Sequence, residues 1–127
     1  MKIEDKERNL FRLGHICDCI EKVVFLSHKL HNYDNFEKQW IEQDALIRNL
    51  QIIGEASVNI TDELKAQYPD VAWKEMRGMR NFVTHQYFGV ELNDIWSTVV
   101  NDIPILKTQI DEIIDDLKNT QKIKNLL

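Results

Sequence analysis

From Leu13 onward, apolar residues recur at Ile16, Ile20, Val23 and Val24, with Ser27 one turn further on. This i, i+3, i+4, i+7 spacing lines up on one side of a helix that turns by ~100° per residue. A strand, whose side chains alternate with a period of two, would throw half of these groups into water. The same period returns at Trp40, Leu46, Leu50, Ile53 and Ala56, and again at Ile95, Val99, Ile103, Leu106, Ile110, Ile113, Ile114 and Leu117. Only four glycines and two prolines punctuate the 127 residues, which leaves little room for hairpins. The expected fold is therefore all-α, an antiparallel bundle of four main helices plus short ones, joined by short connections in a single domain over 1–127.

Local signals give expected boundaries. A first helix is expected over 5–30 and a polar link over 31–35, followed by a second helix over 36–60. Thr61 can cap a short helix over 62–67, which must stop near Tyr68 because Pro69 disfavours helical geometry in the residue before it. A further helix is expected from about Trp73 to Tyr87 or Phe88, with Gly89 suited to a left-handed cap. Two more follow over 92–101 and 103–118, the second with Asp102 as its cap and Pro104 in its first turn. A polar, frayed tail is expected over 119–127. Along the second helix, Asp44, Arg48, Gln51 and Glu55 form a polar edge, with Asp44 and Arg48 spaced to pair. Such an edge is either a solvated face or a surface for a subunit or ligand. Gly54 beside it costs up to ~1 kcal/mol relative to alanine and makes sense where another backbone must come close.

Composition limits the possible functions. A net charge of −5 and a pI of about 5.3 mean that the chain as a whole repels nucleic acid, so any RNA or DNA contact must be local. The longest apolar run lies around Val23 to Leu26, and the start, MKIEDKERN, lacks the apolar centre of a signal peptide. A soluble, cytoplasmic protein with no membrane partner is expected. Cys17 and Cys19 point to different sides of one helix and read as reduced thiols. Neither His15 with the two cysteines nor His28 with His31 supplies four ligands at a familiar metal spacing. No metal or cofactor is expected.

One segment departs from the acidic background. Residues 77–87 read RGMRNFVTHQY. On a continuous helix, with Arg80 at zero, Thr84 falls near ~40°, Arg77 near ~60°, Asn81 near ~100° and His85 near ~140°. Met76, Met79, Phe82 and Val83 take the other side. A solvated face would mix charge signs, whereas this one holds two arginines, an asparagine, a threonine and a histidine with no carboxylate. Such a surface suits a phosphodiester.

Arg80, Asn81, His85 and Tyr87 form R-N-x3-H-x-Y, which resembles the R-x4-H-x-Y motif of the HepT-like ribonucleases, the toxin branch of the HEPN domains. The blocks DALIRNLQIIGEA, YPDVAW, GMRN, YFGVEL and NDIPIL, spread between Asp44 and Leu106, resemble the same family in the same order. The resemblance implies a HEPN-like bundle and a metal-independent endoribonuclease toxin of a type II or VII-like toxin–antitoxin pair. It further implies a homodimer whose two motifs line one cleft, acting on cellular RNA, with transfer RNA as one substrate class. Its partner would be a minimal nucleotidyltransferase antitoxin, which in some systems transfers AMP to the motif tyrosine, Tyr87 by position. Arg80 and His85 would be catalytic. The helical face adds Arg77, Asn81 and Thr84 as supporting residues, although Arg77 and Thr84 stand where many relatives carry apolar or small residues.

Chemistry gives the same roles. RNA carries its own nucleophile, the 2′-hydroxyl. Cleavage then needs a proton acceptor, a proton donor for the leaving 5′ oxygen, and positive charge for the phosphorane. Histidine, with a pKa near ~6.5, serves as acid or base at cytoplasmic pH. Arginine stays protonated and grips two phosphate oxygens at once. One helix offers one imidazole, so a twofold dimer would supply both an acid and a base. Against this stand structural readings: His85 as a helix-end cap, Arg80 as an ion-pair partner of Asp94 or Glu91, and Tyr87 as a half-buried helix-end residue. The alternative function is a non-catalytic helical subunit that binds substrate for, or partners, a nucleotidyltransferase.

Overall fold

The structure, a computed structural model, describes residues 1–82 and 92–126, with side chains as far as Thr120. Its elements are α1 (Ile3–Leu30), α2 (Tyr33–Lys38), α3 (Trp40–Val58), α4 (Asp62–Gln67), α5 (Trp73–Gly78), a 3-10 turn (Met79–Asn81), α6 (Leu92–Ser97), a π turn (Thr98–Asp102) and α7 (Ile103–Leu126). The described residues contain no strand, as the helical periodicity requires.

α1 and α3 run antiparallel. Lys29 approaches Glu42 at 3.9 Å at one end, and Asn9 reaches Thr61 at 3.0 Å at the other. α7 is antiparallel to α1: Leu10 and Gly14 share a surface groove with Ile114 and Lys118, while Cys17 Sγ lies 3.5 Å from Asp111. The predicted stripes form the core between these rods. Leu13, Ile16, Ile20, Val23, Leu46, Leu50, Ile53, Ile95, Val99, Ile103, Ile110 and Ile113 are all buried, each worth roughly 1.5–3 kcal/mol of transfer free energy. Phe36 of α2 stacks on Trp96 of α6 with ring centroids 5.1 Å apart, which closes the end of the bundle.

Buried polar groups are hydrogen-bonded. The Asn9 side chain, fully buried, donates to Thr61 Oγ1 and accepts from the Thr61 backbone N–H at 3.1 Å. Thr61 Oγ1 in turn accepts from the Leu64 N–H at 3.3 Å, the expected cap of α4, and that helix stops at Tyr68. Both cysteines are free thiols. Burial, then the neighbouring Asp111 carboxylate, pushes the Cys17 thiol above its usual range.

Three expectations need correction. The helix expected over 36–60 is two helices with a break at Gln39. Gln43, buried, donates through Nε2 to the carbonyls of Phe36 at 2.9 Å and Glu37 at 3.2 Å, satisfying helix-end acceptors that have no partner within α2. The break leaves Trp40 67% exposed rather than buried, because a helical side chain leans toward the N-terminus and at the first position of α3 that direction leads off the helix. The expected pair of helices after Leu92 is one continuous rod. The Ile103 N–H bonds to the Thr98 carbonyl across a π turn, so Asp102 lies inside the rod and caps nothing. Pro104 has no N–H for the carbonyl four residues back and would crowd it, which a widened turn just upstream accommodates. α7 then runs on to Leu126, through the stretch expected to fray.

Candidate active site

The segment that carries the basic residues is built on α3. α5 starts at Trp73, whose indole N–H donates to the Tyr68 carbonyl at 3.0 Å, and places Met76 in the core. The backbone then tightens into the 3-10 turn, which buries Met79 and leaves Arg80 and Asn81 exposed. At Phe82 the backbone is extended, with φ −63° and ψ 140°.

The helix expected to continue to Tyr87 or Phe88 thus ends at Gly78, and the 3-10 turn ends at Asn81. Two contacts with α3 account for this. The 3-10 turn lies so close to α3 that a Cβ on Gly54 would collide with the Arg80 amide nitrogen and stand 3.0 Å from the Met76 carbonyl oxygen. The Gln51 side-chain amide also donates to the Phe82 carbonyl, the acceptor that a continuing helix would have needed for residue 86. The close backbone expected beside Gly54 is therefore this chain's own, not that of a subunit.

The angular argument changes with the backbone. Arg77 lies in the last turn of α5, and Arg80 and Asn81 lie in a turn with ~3 residues per revolution before the chain extends. Over the described residues 77–82 the face calculated for a straight helix does not form. Thr84, His85 and Tyr87 lie outside the described residues, as do Gly89 and Glu91.

Arg77, Arg80 and Asn81 are all exposed along the short ledge formed by the end of α5 and the 3-10 turn. Among the described residues no ion pair involves either arginine, and the pairing of Arg80 with Asp94 is not formed. Guanidiniums with no ion pair among the described residues are available to an anionic ligand. Behind the ledge, the polar edge of α3 is organised. Arg48 Nη1 donates to Gln51 Oε1 at 3.4 Å and lies 3.8 Å from Glu55, so Arg48 turns to Glu55 rather than to Asp44. Gln51 was legible only as a member of that edge, and its role in fixing the Phe82 carbonyl depends on a contact 31 residues away in sequence.

On the α7 side of the same ledge, a groove of about 480 Å³ is lined by Met76, Met79, Phe82 and Leu106, with Asp70, Glu75 and Asp102 among its polar groups. Its carboxylates make it unsuited to a phosphate, which directs an anionic ligand toward the arginines.

Comparison with known proteins shows the family. The family model described as "Ribonuclease HepT-like" matches residues 16–113. A protein of Thermococcus cleftensis named "Probable ribonuclease HepT" is 46% identical over 101 residues, covering 80% of this chain and 91% of that protein. One of Caldanaerobacter subterraneus subsp. tengcongensis, named a "Putative RNase", is 39% identical over 108 residues, covering 84% and 94%. A third, from Methanocaldococcus jannaschii and named "Gamma-glutamylcyclotransferase and putative RNase", is 37% identical over 112 residues; they make up 88% of this chain but only 50% of that protein. No solved structure matches the chain. With a family model that spans most of its length and relatives this similar, the chain belongs to the HepT-like ribonuclease family.

Proposed function

We propose that this protein is a metal-independent endoribonuclease that cuts cellular RNA by transesterification, with Arg80 and His85 as its catalytic residues. The observation that carries the reading is the exposure of Arg77, Arg80 and Asn81 on one short stretch, with neither arginine in an ion pair among the described residues, followed in sequence by His85. Arg80 clamps the scissile phosphate and offsets charge on the phosphorane. His85 moves a proton between the 2′-hydroxyl and the leaving 5′ oxygen. Arg77, Asn81 and Thr84 bind the flanking strand. Because RNA supplies its own nucleophile, these groups suffice without an ion.

Two protons must move and the motif carries one imidazole. The other histidines, His15, His28 and His31, belong to α1 and its C-terminal end, and the 3-10 turn instead packs on α3. A second copy of the chain, bringing its own motif to a shared cleft, completes the acid–base pair. The family also supports a pairing with a nucleotidyltransferase antitoxin that acts on Tyr87. An adenylyl group there would add bulk and negative charge where a phosphate must bind.

The test is incubation of the purified chain with total RNA in excess chelator, with end-group analysis. Wild type is expected to leave 2′,3′-cyclic phosphate ends, and R80A and H85A are expected to lose activity. Cleavage by H85A at the wild-type rate, or by a demonstrated monomer, overturns the mechanism. Growth arrest on expression separates the enzyme from a mere partner subunit: equal harmlessness of wild type, R80A and H85A favours the subunit. Mass spectrometry after co-expression with a nucleotidyltransferase reads AMP on the Tyr87 peptide.

A further inference from the structure

The ribonuclease reading assigns a role to Arg80 but leaves open how an arginine on a short, exposed turn is aimed. We propose that Gly54 and Gln51 of α3 are positioning residues for Arg80: together they form a seat that holds its backbone from both sides and so directs its guanidinium. The proposal rests on the ribonuclease reading and goes beyond it to two residues outside the motif.

The seat is specific to this residue. The atoms that crowd the missing Cβ of Gly54 are the Arg80 amide nitrogen, the Arg80 Cα at 3.1 Å and the Met76 carbonyl oxygen at 3.0 Å. Only a glycine lets the Arg80 backbone rest there. One helical turn earlier on α3, Gln51 donates to the carbonyl of Phe82, two residues beyond Arg80. The Phe82 N–H meanwhile bonds back to the Met79 carbonyl at 3.1 Å, and Met79 is buried. Arg80 is thus bracketed by a core side chain before it, a held carbonyl after it and a helix beneath it. Its own side chain is exposed.

The donor is itself oriented. Gln51 Oε1 accepts from Arg48, which is paired with Glu55, so the Gln51 amide nitrogen faces Phe82. Glu55, Arg48 and Gln51 form a chain of contacts along one edge of α3 that ends at the backbone of the motif. In sequence, only Val83 and Thr84 separate Phe82 from His85. A phosphate clamp and a proton-transfer group must keep their separation to within roughly an ångström for efficient reaction. The seat holds the backbone of the first of these.

Q51E tests this with little change of shape. A carboxylate keeps a partner for Arg48 but cannot donate to the Phe82 carbonyl. In the RNA-cleavage assay with the full chain, Q51E is expected to lower kcat about tenfold while KM stays within about twofold. In R80K, whose clamp is already weakened, the same change is expected to cost little more, because both act through one residue. The Phe82 amide is expected to exchange its hydrogen faster in Q51E. G54A, which forces the backbone off its seat, should show the same kcat loss. Should G54A fail to fold, Q51E decides alone.

Full activity in Q51E, or a loss that multiplies in full with that of R80K, overturns the seat. A wild-type chain that cuts no RNA overturns the ribonuclease reading instead. Exchange at Phe82 then judges the seat by itself: an unchanged rate in Q51E refutes it, and a faster one upholds it as a device of the fold.

Discussion

Arg80 is exposed, unpaired among the described residues and fixed at its backbone, so its replacement tests chemistry with little disturbance of folding. Arg80→Lys keeps the charge but loses the bidentate grip on two phosphate oxygens. It is expected to cut kcat/KM by roughly ten- to a hundredfold, the loss of one or two charge-assisted hydrogen bonds, with the melting temperature unchanged. Kinetics on a defined RNA and a thermal melt together check this. His31 is the opposite case, a residue whose backbone carries strain and whose side chain is exposed. It ends α1 with φ 73° and ψ −47°, inside a tight turn closed by the Asn32 N–H on the Leu30 carbonyl at 3.0 Å. A non-glycine residue held there costs ~1 kcal/mol or more. His31→Gly is therefore expected to stabilise the chain by up to about 1 kcal/mol, measured as a shift in denaturant midpoint, and to leave RNA cleavage untouched.

At the scale of elements, the joints depend on polar side chains that reach across the chain. Asn9 of α1 holds both the hydroxyl and the backbone N–H of Thr61, and Thr61 caps α4. Asn9→Ala strands those groups in a buried site and is expected to cost about 2–4 kcal/mol, read by urea unfolding with an unchanged m-value. Tyr68, at the end of α4, donates its hydroxyl to Asp116 of α7 at 2.7 Å. Burial first, then that carboxylate, raises its pKa to about 12 from the ordinary 10.0. The unfolded chain releases this proton near its ordinary value and the folded chain only near the raised one. The contribution to stability is therefore full below pH ~10 and is lost as pH rises toward ~12. Wild type is expected to lose stability across that window more steeply than Tyr68→Phe, in denaturant titrations at a series of alkaline pH values.

For the whole molecule, the bundle and the reactive segment were legible in the sequence to different degrees. The stripes through Leu13, Ile16 and Ile20, through Leu46, Leu50 and Ile53, and through Ile95, Val99 and Ile103 determined helices with one buried face each, though the last stripe reads as two helices where the structure has one rod. Helical periodicity is local: it depends on residues three and four apart and needs no partner to be read. The cap at Thr61 and the stop at Tyr68 were read the same way. Which residues of the motif share a helix was not readable, because that depends on contacts between distant parts of the chain. A straight-helix reading placed Arg77 to His85 on one continuous face, but the bare patch at Gly54 and the amide of Gln51 end the helix before Phe82. The glycine signalled that some backbone would come close without saying whose. The sequence by itself thus determined an all-α bundle, its core stripes and the identity of the basic ledge, since these follow from residue type and short-range spacing. Only the tertiary structure decided where that ledge leaves the helix and how Arg80 is held, because a hydrogen bond between residues 51 and 82 exists only once α3 and the 3-10 turn are packed together.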